Sequence, residues 1–146
     1  MVYLFGLIEV SSFFVGRMLQ RRLVFYNELS IETYESYMAT RHQVLGWPSE
    51  YMKAQLLDAT GSRPIPAYPE PGAACVSLYG DSFTFSVGVD NTHAWSNLLS
   101  KQLNCRVANY GVFGFGLDQA LLHFESNDSD EAPIVLLKMC AVMSIS

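Results

Sequence analysis

Positive charge is the first thing this chain has little of. Nine lysines and arginines face fourteen aspartates and glutamates across 146 residues, a formal net charge of -5. Domains that bind nucleic acid carry a basic patch that displaces counterions from phosphates. The one basic cluster here is Arg17, Arg21 and Arg22, so no nucleic-acid partner is expected. Cysteine is scarce as well. Cys75, Cys105 and Cys140 are an odd number without C-x-x-C spacing, which indicates neither a zinc site nor a disulfide framework. Buried thiols are the expected state: Cys75 and Cys105 open two neighbouring strands, and bridging adjacent parallel strands is geometrically demanding. No metal and no other cofactor is expected.

The chain also has no uninterrupted apolar run of membrane-spanning length. Val2 to Val15 is apolar apart from Gly6, Glu9, Ser11 and Ser12, short of the roughly 20 residues that cross a bilayer. No basic residue precedes this run and the arginine cluster follows it. It reads as the remnant of a signal-anchor or as an amphipathic helix, and membrane association is the expectation with sidedness left open. Internal repeats and low-complexity tracts are absent.

What is present is apolar bulk. Half of the residues are hydrophobic and 16% are charged, a balance that suits a sheet covered on both faces. The length suffices for one domain with a real core and is short for a complete doubly wound enzyme. Three stretches are distinguished: an apolar segment over 1–20, a lead-in over 21–72, and an α/β portion over 73–146. Irregular helical spacing from Met18 to Met38 predicts one or two helices. Gly46-Trp47-Pro48 then breaks the pattern, and Gly61 to Gly72, rich in proline, reads as an extended connector.

Beyond Gly72 the period alternates between strand and helix. Ala74 to Tyr79 predicts a buried strand. His93 to Leu103 predicts a helix with Trp95, Leu98, Leu99 and Leu103 on one face and Asn91 or Thr92 as its cap. Cys105 to Tyr110 is a second strand, Leu117 to Phe124 a second helix, Asn127 to Ala132 a polar turn, and Ile134 to Leu137 a third strand. This βαβαβ order implies parallel strands, with the last one a candidate exposed apolar edge.

Ser82 follows Gly80 and Asp81 directly after the first strand, at the edge where open α/β sheets build their sites. A turn there can expose the hydroxyl and aim amides at an oxyanion, which makes Ser82 a candidate nucleophile. Gly111, Gly114 and Gly116 follow the second strand. Their G-x-x-G-x-G spacing is not the dinucleotide fingerprint, so nucleotide binding is a lesser reading.

The words Gly80-Asp81-Ser82-Phe83, Gly88-Val89 and Trp95, then Asn109-Tyr110-Gly111-Val112-Phe113-Gly114-Phe115-Gly116, resemble the SGNH (GDSL-type) hydrolases over residues 73 to 137. The resemblance implies a flavodoxin-like three-layer α/β/α fold and hydrolysis of acyl or acetyl esters, of carbohydrate or lipid, by a Ser-His-Asp triad. It implies that Ser82 is the nucleophile and that the amides of Ser82 and Gly114 bind the oxyanion. Asp81 then ties the turn together by accepting amide hydrogen bonds, and Asn109 supports the loop. The family's third block should follow the third strand, where the chain reads Lys138 to Ser146 instead. Ser126-Asn127-Asp128 resembles that block but precedes the strand, at the opposite edge of the sheet, and is rejected.

An Asp-x-x-His word near the end of the domain, the family's acid and base, has no counterpart. His123 lies about 10 Å from the level of Ser82 along its helix and is expected at the surface or between helices. His42 is expected to be solvated, and His93 is a minor substitute on the site side. Without a base the serine stays protonated, so the chain alone is expected to be a poor catalyst, with the base encoded further along. The rival reading is a non-catalytic, membrane-associated α/β binding or scaffold protein; fold alone does not choose.

Overall fold

A computed structural model describes residues 2–21, 32–70 and 72–138. Its centre is a sheet of three parallel strands, β1 (Val76–Gly80), β2 (Val107–Asn109) and β3 (Val135–Lys138), in the order β2-β1-β3. Val76 pairs with Val107 on one side of β1, and Ser77 with Val135 on the other. Successive side chains of a strand point to opposite faces, and β1 uses both. Val76 and Leu78 pack with Val107 against Trp95 and Leu99 of the helix α5 (Trp95–Leu103). Tyr79 turns the other way, stacking on Tyr110 and meeting Phe124 of the helix α6 (Leu117–Glu125) edge-on. The chain is thus an α/β protein with helices on both sheet faces. Because the strands following β1 lie on either side of it, the carboxyl end of β1 is the switch point at which an open sheet leaves a crevice.

Helix α5 buries a different face from the one its leucines suggested. Ser96, Asn97 and Ser100 are fully buried while Leu98 and Leu103 are nearly half exposed. The polar side chains are there because each has a hydrogen-bond partner in a neighbouring segment. The Ser100 hydroxyl donates to the Ser96 carbonyl and accepts from the Val107 amide, and Asn97 accepts from the Ala67 amide and donates to the Thr92 carbonyl. Buried polar groups paired in this way cost little, whereas unpaired they cost about 1–3 kcal/mol each. The cap also differs: Ala94 stands at the N-cap without a side-chain hydrogen bond, since Thr92 is drawn instead into the turn around Asp90.

The lead-in is part of the packed body. Two short helices, α2 (Tyr34–Thr40) and α3 (Glu50–Leu56), are capped by Thr33 and Ser49, whose side-chain oxygens accept from the amides three residues on. Leu45 packs with Val112, Phe115 and Ala120, and Met52 and Leu56 pack with Phe85. Further on, Asp58 accepts from Arg106 at 2.8 Å, and the Arg63 amide donates to the Asn109 carbonyl, which fastens the connector to β2. The change of composition near Gly72 therefore marks a change of chain style, not a gap in packing.

Other expectations are corrected. Cys75 and Cys105 form a disulfide rather than free thiols. Both lie just outside the paired stretch of β1 and β2, with Cα atoms 6.1 Å apart, so the ladder does not hold their side chains apart. Cys140 lies outside the described residues. Strand β3 is not covered on both faces: Val135, Leu136 and Leu137 are each about 40% exposed, as the edge position dictates. Of the helices expected between Met18 and Met38, α1 (Val2–Arg21) and α2 bracket residues 22–31, which lie outside the described residues. No helix among the described residues is long and apolar enough to cross a membrane.

Candidate active site

β1 ends at Gly80, and Asp81 caps a single helical turn, α4 (Ser82–Phe85), accepting from the amides of Phe83 at 3.0 Å and Thr84 at 3.2 Å. Ser82 is the first residue of that turn rather than part of an irregular loop. The surrounding backbone is crowded. A Cβ on Gly80 would stand 2.0 Å from the Lys138 carbonyl, and one on Gly111 2.6 Å from the Phe85 nitrogen. Only glycine at both places lets α4 settle between β3 and the chain leaving β2.

Ser82 opens onto a cavity of about 530 Å³ whose walls include Phe83, Val87, Val89, His93 and Trp95. Trp95 is fixed from below by donating to the Phe83 and Thr84 carbonyls. With the Phe83 and Thr84 amides committed to Asp81, the Ser82 amide makes no hydrogen bond among the described residues, and neither does that of Gly114. The two loops leave the same carboxyl edge, where Val112 donates to the Gly80 carbonyl at 2.9 Å. Gly114 itself is exposed and does not line the cavity beside Ser82.

Asn109 is fully buried and spent on structure. Its amide group donates to the Thr84 carbonyl at 2.7 Å and to the Ser96 hydroxyl, and its oxygen accepts from the Gly111 amide at 3.0 Å. One side chain thus joins α4, α5 and the glycine turn.

The three histidines occupy unlike surroundings. His123 is wedged edge-on against the rings of Tyr79, Tyr110 and Phe115, between α6 and the sheet rather than at the surface. Burial first, then the charges of Lys53 and His42, push its imidazole down to about 4, with the Tyr110 carbonyl opposing weakly. His42 is half-buried rather than solvated, and its Nδ1 accepts from the Val44 and Leu45 amides. Burial, and secondarily Lys53, lower its pKa.

His93 alone shares the cavity of Ser82. Its Nδ1 stands 2.7 Å from Asp90 Oδ2. Burial pushes the Asp90 carboxyl up, but hydrogen bonds from the side chains and amides of Thr92 and His93 outweigh it and hold the group down at about 2. Asp90 and His93 lie three residues apart in the segment Asp90-Asn91-Thr92-His93, between α4 and α5.

Arg63 is the residue sequence reasoning missed. It is completely buried, donates to the carbonyls of Phe85, Ser86 and Val89 and to Asn91 Oδ1, and lies over the Phe85 ring. The segment that carries Val87, Val89 and His93 into the cavity is thus tied to the lead-in. In the sequence Arg63 is one charge in a connector rich in proline and glycine, with nothing beside it to mark it. Among the described residues no group of three or more His, Cys, Asp or Glu is placed to hold a metal ion. No family model matches the chain, and no curated protein matches it either.

Proposed function

We propose that the chain is a serine ester hydrolase of the SGNH type, acting on acyl or acetyl esters. The observation that carries this reading is Ser82. It stands at the first position of a capped turn, at the carboxyl end of the central parallel strand, facing an open cavity with its own amide uncommitted. In the proposed reaction the Ser82 hydroxyl attacks the ester carbonyl and the uncommitted Ser82 amide stabilises the oxyanion; Gly114, the second donor that the resemblance implies, does not line this cavity. The largely apolar walls contributed by Phe83, Val87, Val89 and Trp95 suit a short acyl group. Asp81 and Asn109 hold the two turns and do not touch substrate.

Two further features bear on location. Helix α1 leaves Phe5, Leu7, Ile8, Val10, Phe13 and Phe14 more than half exposed, and Ser11 in their midst turns its hydroxyl onto the Leu7 carbonyl. A helix of that kind favours a lipid surface, while the disulfide favours an oxidising compartment; together they support a membrane-associated protein of the cell envelope. Slow hydrolysis of the activated ester p-nitrophenyl acetate by the purified chain, abolished in Ser82→Ala with folding intact, is the expected outcome. Turnover that survives the substitution overturns the assignment.

A further inference from the structure

We infer that a second cavity, between the lead-in and α6, is a binding site for a short-chain carboxylate anion. His42, Lys53 and His123 line it, and among the described residues no Asp or Glu does. In a chain of net charge -5, a cavity walled by three groups that can carry positive charge and by none that carries negative charge selects its ligand by sign. It shares no lining residue with the cavity of Ser82. The inference therefore stands apart from the serine-hydrolase reading.

Three separate elements bring these groups together. Lys53 comes from α3, His42 from the turn after α2, and His123 from α6. Lys53 accordingly lowers the pKa of both imidazoles, and His42 lowers that of His123. Tyr110, beyond β2, is the remaining titratable group on the wall, and burial, then Asp130, push its phenol up. Glu50 opposes weakly at His42 and pairs with Lys53 at 2.8 Å, but its side chain is 67% exposed. A surface pair of that kind contributes little, and it occupies one of the three ammonium protons.

The hydrogen-bonding capacity for an anion is also present. His42 Nδ1 accepts from the Val44 and Leu45 amides, so the neutral ring carries its proton on Nε2 as a donor. His123 Nδ1 is buried and has no hydrogen-bond partner among the described residues, which leaves part of that ring's capacity unused by the fold. The rest of the wall includes Leu45, Leu57 and Val112, and the cavity measures about 170 Å³, several times the roughly 30 Å³ that a water occupies in the liquid. A carboxylate with a short alkyl tail satisfies both kinds of wall, whereas phosphate has no apolar part to set against the leucines and valine. A bound anion favours the imidazolium over the neutral ring. Binding therefore takes up protons and strengthens as pH falls toward the range in which His42 and His123 charge.

The test follows the imidazole C–H resonances of the full chain by NMR in a sulfonate buffer as butyrate is added, with chloride at equal ionic strength as the reference. The expected result is saturable movement of the His42 and His123 resonances, half complete on the order of 1 mM butyrate at about pH 5.5, and about tenfold weaker at about pH 7.5. Lys53→Gln, in a chain that melts normally, should weaken binding about tenfold. His42→Gln, read on His123, is the second variant and should show a loss of the same order. Movement that does not saturate, that chloride reproduces, or that keeps full strength in both variants overturns the site. Saturation by phosphate as tight as by butyrate overturns the assignment to a carboxylate.

Discussion

Replacing Arg63 by methionine removes a fully buried cation from the carbonyls of Phe85, Ser86 and Val89 and from Asn91. The acceptors remain. Each buried carbonyl deprived of its donor costs about 1–3 kcal/mol, and water can reach those of Ser86 and Val89, which are only partly buried, so the sum is less than the parts. Relief of the desolvated guanidinium offsets some of the loss. Removing one partner from a buried charged network nevertheless costs about 3–5 kcal/mol, and about 4 kcal/mol is the expected loss for Arg63→Met.

For a chain of this size that corresponds to a fall in melting temperature of roughly 10 °C, a large share of a domain stability of about 5–15 kcal/mol. Arg63→Lys keeps the charge but not the fork that reaches several carbonyls, and should fall between the two. Urea titration followed by tryptophan fluorescence reads the loss directly, since Trp47 and Trp95 both pack near this segment. A change under about 1 kcal/mol in Arg63→Met refutes the idea that this side chain holds the segment in place.

Other perturbations read other parts of the structure. The His123 imidazole is held at about 4 against an ordinary 6.5, so the unfolded chain takes up a proton that the folded one refuses. Stability should fall as pH drops from about 6.5 to about 4, by up to about 3 kcal/mol. Urea midpoints at several pH values should show that slope, and His123→Leu should flatten it. Replacing both Cys75 and Cys105 by serine opens a loop whose ends are 30 residues apart and should cost about 3–4 kcal/mol; equal melting temperatures for the reduced and oxidised protein argue against the bridge. Ser86 adopts a left-handed backbone with φ of 65°, and its buried hydroxyl has no hydrogen-bond partner among the described residues. Ser86→Gly should therefore gain about 1 kcal/mol in a thermal melt, the relieved strain exceeding the added chain entropy.

Sequence alone determined the alternation of strands and helices after Gly72, because a continuous apolar run such as Ile134–Leu137 and a helical repeat such as that of α6 differ in period, and the period is a local property. It also placed Ser82 at a strand end and Asp81 as the residue that accepts the amides of its turn, since both follow from neighbours a few positions away. The buried face of α5 was not legible. Hydropathy favours Leu98 and Leu103 over Ser96, Asn97 and Ser100, and only the positions of Val107, Ala67 and Asn109 across the fold reverse that order.

The same holds for Arg63 and for the disulfide. A lone arginine in a connector reads as a solvated charge until the fold brings the carbonyls of Phe85, Ser86 and Val89 around it, and two cysteines 30 residues apart read as thiols until the register of β1 on β2 sets their Cα atoms within bonding reach. The pairing of Asp90 with His93 was written in the chain at a spacing of three. Which side of that turn faces the cavity was not, because it depends on Trp95 and Arg63 holding the segment against the carboxyl end of β1. Local pattern fixed the elements and their order; contacts between residues distant in sequence decided which polar groups are buried and which of them share a cavity.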